Sequence, residues 1–145
     1  MDRLRPIALT FVLALSLASC GSPTAPARVS LDVAVVTAEV TESMVPIRYT
    51  LLNTRSEPIY LPACGGIARP EVDIIGPGTL RDQVSWGCIA ILDMGPVVVG
   101  PGESYEGTVT VPRRPGARFR PFVSYRLARD RGRHRTVAAA EFVSP

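Results

Sequence analysis

The residues of this chain with the widest chemistry are Cys20, Cys64 and Cys88, since a thiol can be alkylated, oxidised to a disulfide or bound to a metal. Cys20 follows an almost unbroken apolar run from Ile7 to Ala18, and two arginines lie among the first five residues. This layout is typical of a secretory signal. About 12 apolar residues are too few to cross a bilayer as a helix, so we predict export and not a membrane span.

The segment Leu17-Ala18-Ser19-Cys20 resembles the lipobox of bacterial lipoproteins. The resemblance implies that the Cys20 thiol receives a diacylglyceryl group, that residues 1–19 are removed, and that the new amino terminus is acylated, typically with palmitate. Two or more acyl chains hold a protein stably at a membrane. Gly21, where retained lipoproteins of Gram-negative bacteria carry aspartate, implies export to the outer membrane in such a host. The alternative is an ordinary signal peptide with an incidental Cys20.

The rest of the chain has room for one domain. We expect a signal peptide over residues 1–19, the acylated cysteine and a flexible tether over 20–27, and a folded domain over 28–145. The 16 basic residues are all arginine and face 13 acidic residues. This balance is too even to predict a polyanionic partner, and we expect no nucleic acid.

Cys64 and Cys88 remain once Cys20 carries lipid, and an exported protein matures in an oxidising compartment. A disulfide between them closes a loop of about 25 residues, worth about 3–4 kcal/mol on the chain-entropy estimate. The alternative is a metal or redox pair. The sequence has no Cys-x-x-Cys spacing, and its only histidine, His134, is remote, so we predict a structural disulfide.

From Arg28 onward the chain reads as short strands separated by turns rich in proline, glycine and asparagine. Apolar residues alternate from Val29 to Val35, and the phase then shifts by one residue from Val36 to Val40, which we interpret as a β-bulge. Further strands are predicted at 45–51, 59–61, 72–74, 84–92, 105–111, 119–127 and 135–143.

Seven or eight short antiparallel strands predict an all-β fold with two packed sheets, and an antiparallel barrel is the alternative. In the strand 84–92, Trp86 shares a face with Cys88, which places it beside the predicted disulfide. In the last strand, we expect Ala138, Ala140 and Phe142 to point inward.

Four segments resemble the bacterial intracellular proteinase inhibitor family and the uncharacterised lipoproteins related to it. They are Tyr49–Thr54, Pro58–Leu61, Val99–Tyr105 and Glu141–Val143. The resemblance covers most of residues 30–144 and implies an Ig-like Greek-key β-sandwich. It also implies proteinase inhibition through an exposed loop, for which residues 61–66 or 93–96 are the candidates.

A search for catalytic residues leads us to predict that the protein is not an enzyme. His134, the only candidate imidazole base, lies in an arginine-rich turn. Glu71 and Asp73 project from one strand face, as a working carboxylate pair or as two solvated residues. Gly76-Pro77-Gly78 lacks the lysine and helix of a phosphate loop. We expect no cofactor and no metal.

A cluster of arginines surrounds Asp130-Arg131-Gly132, which reads as a hairpin tip. We interpret it either as an anion-binding finger for lipopolysaccharide phosphate, acidic glycan or an acidic protein, or as solvated charge that keeps strands from pairing with neighbours. It lacks the interleaved aromatic residues of single-stranded nucleic-acid sites. The residues concerned are Arg129, Arg131, Arg133 and Arg135.

The sequence therefore predicts a cell-envelope protein attached to the membrane by lipid, with one non-enzymatic binding domain for a protein or glycan partner. Sandwich folds support many functions, so this prediction depends on the anchor and on the lack of a recognisable catalytic set. The alternative is a proteinase inhibitor that acts through an exposed loop.

Overall fold

The computed structural model describes residues 27–76, 81–86, 95–129 and 131–145. The predicted signal peptide, Cys20, Cys88, Asp130 and the first half of the candidate loop 93–96 lie outside the described residues. The described residues form one short 3-10 helix, Thr37–Glu39, and ten strands. The strands are β1 (Val29–Val35), β2 (Met44–Asn53), β3 (Ile59–Leu61), β4 (Glu71–Ile75), β5 (Arg81–Val84), β6 (Val97–Val99), β7 (Ser104–Pro112), β8 (Arg118–Tyr125), β9 (Arg135–Ala138) and β10 (Phe142–Val143).

The first sheet has the order β1-β2-β7, and all of its pairs are antiparallel. β2 lies in the middle, with Leu51 opposite Leu31 of β1 and Tyr105 of β7. Alternate residues of β2 are buried, as the period of two predicts. Its core residues are Val45, Ile47, Tyr49 and Leu51.

The second sheet has the order β10-β8-β4-β5, and β9 also pairs with β8. β3 and β6 form a small third sheet, which is linked to the end of β8 by backbone hydrogen bonds between Tyr60 and Arg126, the residue that follows β8. One apolar cluster joins buried side chains of all three sheets, including Leu51, Ile59 and Phe119. The described residues thus confirm the predicted all-β, antiparallel sandwich, with ten strands in place of seven or eight.

The β-bulge predicted at Val35–Val36 is wrong. β1 ends at Val35, and the chain turns through Thr37–Glu39, where Glu39 N–H donates to Val36 O at 3.0 Å. The alternation of Val36 and Val40 therefore reflects a helical turn and not a continued strand.

A bulge does lie in the last strand, which was predicted to be continuous. β9 pairs Ala138 with Phe122, whereas β10 pairs Phe142 with Phe119, so this strand has one residue more than β8 opposite. The extra residue changes which side faces the core. Of the predicted inward set, Phe142 packs on the core, but Ala138 and Ala140 are exposed; Val137 and Ala139 pack there instead.

Of the predicted strand 84–92, Val84 alone lies in a strand within the described residues, since β5 ends there and residues 85 and 86 are not part of a strand. Val84 pairs with Val72 of β4, which begins one residue earlier at Glu71 and is preceded by Pro70. The register places Pro70 opposite Trp86, and proline has no N–H to donate to a ladder. Trp86 therefore follows the strand instead of lying on its face, and residues 87–94 are outside the described residues.

Candidate functional site

Two tyrosines hold the middle of the loop between β3 and β4, residues 62–70. Tyr49 Oη donates to Ala68 O at 2.5 Å, and Ala68 N–H donates to Tyr105 Oη at 3.0 Å. Burial raises the pKa of the Tyr49 hydroxyl well above its usual range, so this hydroxyl remains a donor. Both hydrogen bonds are made to the backbone of Ala68, so they hold the loop without using its side chains.

Gly107 makes this arrangement sterically possible. It lies opposite Tyr49 in the pairing of β2 with β7. A Cβ atom at position 107 would overlap the Tyr49 hydroxyl, so only glycine leaves space for the ring at this register.

A tight turn projects from the same loop. Cys64 N–H donates to Ile67 O at 3.0 Å, and Ile67 N–H donates to Cys64 O at 3.1 Å. Between them, Gly65 and Gly66 have φ values of 60° and 77°, as both central residues of a type I′ turn require. The turn leaves the Ile67 side chain 46% exposed, which is unusual for an isoleucine next to a core.

A first depression, of about 130 Å³, lies on one side of this loop. Its wall combines the half-buried Trp86 with Cys64 and Ile67, and it also contains two opposite charges, Arg69 and Glu71. The structure thus places Trp86 and Cys64 at the same depression.

A second depression, of about 330 Å³, adjoins the first. It is lined by Tyr60, Pro96, Arg126 and Arg129, among others, and it shares Pro62 and Ala63 with the first. We call the two depressions and the loop residues between them the loop face. Aromatic, apolar and guanidinium groups side by side are the residue types that binding interfaces favour.

The predicted arginine cluster occupies the connection between β8 and β9, as expected of a hairpin tip. We call residues 126–135 the arginine hairpin. Arg126 Nε donates to His134 Nε2 at 2.8 Å, and Arg129 lines the second depression. Arg131, Arg133 and Arg135 are exposed and line neither depression. The structure therefore brings one of the four predicted anion-binding arginines to the loop face and leaves three in solvent.

The carboxylates Glu71 and Asp73 share a strand face, as predicted, but each has its own partner. Gln83 Nε2 donates to Glu71 Oε2 at 2.6 Å, and Arg120 Nη2 contacts Asp73 Oδ2 at 2.5 Å. These contacts favour the interpretation of separate strand residues over that of a working pair. Within the described ranges, no group of three or more histidine, cysteine, aspartate or glutamate residues could hold a metal ion.

Sequence reasoning did not find Tyr60, Ala68 or the tyrosines that hold the loop. Gly107 was the one feature of the sequence that could have indicated this arrangement, because a glycine inside a strand often marks a close approach by another group. The partners of that glycine depend on strand register, which the sequence pattern alone does not specify.

No protein-family model and no curated protein sequence matches the chain. Solved structures are similar to it. The X-ray structure of the Northeast Structural Genomics Consortium target SoR45 has a TM-score of 0.50 and 12% identity, over 79% of this chain and 83% of that chain. A Bordetella pertussis protein with the provisional name ApaA has a TM-score of 0.52 and 19% identity, over 81% and 90% respectively. At these identities the likeness shows the fold alone.

No helix within the described ranges is both long enough and apolar enough to span a bilayer.

Proposed function

We propose that the protein is a lipid-anchored, non-enzymatic protein of the bacterial cell envelope that binds a protein or glycan partner through the loop face. The observation that carries the binding proposal is the pair of adjoining depressions on a loop whose backbone is held by Tyr49 and Tyr105. A surface held in place before binding loses less conformational entropy when the partner arrives.

The lipid anchor is supported by the resemblance of Leu17–Cys20 to a lipobox and by the short polar segment that follows it. Diacylglyceryl and amino-terminal acyl groups at Cys20 would together give stable attachment. In a Gram-negative host, Gly21 favours the outer membrane as the site of attachment.

The second part of the proposal is a disulfide between Cys64 and Cys88, which would stiffen the loop face. Cys64 lies at the start of the tight turn in the loop face. It shares a depression with Trp86, and Cys88 is only two residues further along the chain, a span of about 7 Å at most. A cysteine within this reach of Trp86 can approach Cys64 to the Cα–Cα separation that a disulfide requires.

We therefore expect non-reducing peptide mapping of the exported protein to recover a Cys64–Cys88 linked peptide. The Cys64→Ala variant should unfold with a free energy lower by about 2–5 kcal/mol, the usual effect of removing a disulfide from a small secreted domain. Treatment of the parent protein with reductant should lower its free energy of unfolding by a similar amount, so that the reduced parent and the Cys64→Ala variant are equally stable. Two alkylatable thiols in exported parent protein would contradict the proposal.

The binding surface is tested by site-specific photo-crosslinking in intact cells. A benzophenone amino acid at Ile67, which is 46% exposed on the loop face, should give a discrete adduct with the partner. The matched control is Val143, an apolar side chain that is 62% exposed on β10. Identical adducts from both positions, or none from Ile67, would count against the loop face as the binding surface.

The proteinase-inhibitor alternative is favoured by one observation, the turn at Gly65–Gly66 closed by two backbone hydrogen bonds. A rigid exposed loop is suited to inhibition because little order is lost on binding. This alternative expects a protease as the partner captured at Ile67, and inhibition of that protease by the purified protein. A captured partner that is not a protease would leave the general binding function as the better account.

A further inference from the structure

The tether enters the sandwich at a defined end. Arg28 N–H donates to Thr54 Oγ1 at 3.0 Å, and Thr54 N–H donates to Arg28 O at 2.9 Å. Val29, the first residue of β1, lies opposite Asn53, the last residue of β2. We call this end of the sandwich the anchored end.

The arginine hairpin lies at the same end. Met44, where β2 begins, pairs with Pro112, and the short segment 113–117 leads from there to Arg118, where β8 begins. β2 and β8 therefore both run from the far end to the anchored end. Since the arginine hairpin starts directly after β8, its base lies with the end of β2 and with residue 28.

A chain of hydrogen bonds supports this placement. Asn53 Nδ2 donates to Val99 O at 3.0 Å, and Val99 pairs with Ile59 in the small third sheet. The neighbouring Tyr60 exchanges two backbone hydrogen bonds of 2.9 Å with Arg126 at the base of the hairpin.

The charge of the hairpin is not neutralised by its described surroundings. Two acids at this end are otherwise engaged: Glu57 lies 3.9 Å from Arg55, and Glu103 Oε2 accepts the Gly100 N–H at 2.7 Å. No ion pair links a hairpin arginine to any acid in the described ranges. The exposed arginines are Arg129, Arg131, Arg133 and Arg135.

The tether is short compared with the domain. The eight residues from Cys20 to Arg28 span at most about 28 Å when fully extended. β2 alone has ten residues and is about 33 Å long, so the far end lies well beyond the anchored end. An acylated Cys20 therefore keeps Arg28, and with it the base of the arginine hairpin, within reach of the lipid headgroups, where each arginine strengthens binding to an anionic surface about fivefold.

We infer that the arginine hairpin docks on the phosphate groups of the anionic membrane to which the tether is attached; this rests on the proposed lipid anchor. Guanidinium groups bind phosphate oxygens with two parallel hydrogen bonds. Docking of the hairpin orients the domain, and the loop face, whose second depression contains Arg126 and Arg129, is then held next to the headgroups.

The test is arginine labelling of the mature, acylated protein in lipid vesicles. The protein is reconstituted in phosphatidylcholine alone or mixed with phosphatidylglycerol, treated with phenylglyoxal and analysed by peptide mass spectrometry. Labelling of the exposed hairpin arginines should fall about fivefold or more in the anionic vesicles. Arg48 and Arg118, away from the anchored end, should be labelled equally in both. Molar salt, which shortens the screening length to about 3 Å, should remove the protection.

Paired variants sharpen the test. Replacing Arg131 and Arg133 with serine should at least halve the protection of Arg129 and Arg135. Replacing Arg48 and Arg118 with serine removes the same charge elsewhere and should leave the protection intact. Equal protection in the two double variants would overturn the inference, because net charge and not the hairpin would then be responsible.

Two further results would also overturn it. Protection that is equal in neutral and anionic vesicles would show that the hairpin does not recognise the negative charge of the membrane. Full protection by inorganic phosphate in neutral vesicles would point to a soluble anion. A failed anchor is distinguishable from either, because Cys20 then carries no acyl mass and the protein does not stay with the vesicles.

Discussion

Replacing Asn53 with aspartate should destabilise the domain by about 3–5 kcal/mol, the usual effect of leaving a buried charge without a partner. Asn53 is fully buried, and its Nδ2 donates to Glu57 O, Val99 O and Gly100 O at 2.9 to 3.1 Å. In the variant, a carboxylate oxygen would face three carbonyl oxygens with no hydrogen between them. Urea unfolding of the two proteins measures the difference.

The matched control is Ser56→Asp, which adds the same charge at an exposed position three residues away. Its free energy of unfolding should lie within about 0.5 kcal/mol of the parent value.

Burial raises the pKa of the new carboxyl at position 53, so the folded Asn53→Asp variant binds a proton more readily than the unfolded chain does. The stability difference from the parent should therefore be largest at neutral pH and shrink as the pH falls. An Asn53→Asp variant as stable as Ser56→Asp at neutral pH would refute the assigned role of the amide.

Replacing Cys20 with alanine should abolish lipid attachment altogether. Without the thiol no diacylglyceryl group can be added, and stable retention requires at least two acyl chains. Cells fed a clickable fatty acid should label the parent protein and not the variant. Washed membranes should likewise lack mature, acylated variant protein.

The control is Ser22→Ala, which changes the tether but keeps the cysteine, and it should be labelled like the parent. Equal labelling of the Cys20→Ala variant would show that the lipid is attached elsewhere or that Cys20 is incidental. That result would also remove the premise for hairpin docking, whereas it would leave the photo-crosslinking test of the loop face unaffected.

Local pattern was enough to predict most of the strands. Burial alternates along β2 and β8 because successive side chains of a strand point to opposite faces. The sequence Gly100-Pro101-Gly102 is typical of a turn, and the structure has one there, with Gly102 at a φ of 74° that glycine adopts without strain. The all-β fold class and the approximate positions of the strands depend on patterns within short segments. The sequence by itself therefore determined them.

Tertiary structure decided the features that depend on residues far apart in the chain. Asn53 and Val99 are 46 positions apart, and Tyr49 and Ala68 are 19 apart. No local pattern identifies such partners, because they are set by register and by which sheets pack together. The bulge before β10 likewise arises from pairing with β8, and it exposes Ala138 against the period-two expectation. The position of the arginine hairpin beside the tether follows from the parallel course of two strands in different sheets. The sequence therefore determined which residues carry the positive charge of the hairpin. Only the packing of the sheets decided which end of the domain presents those arginines.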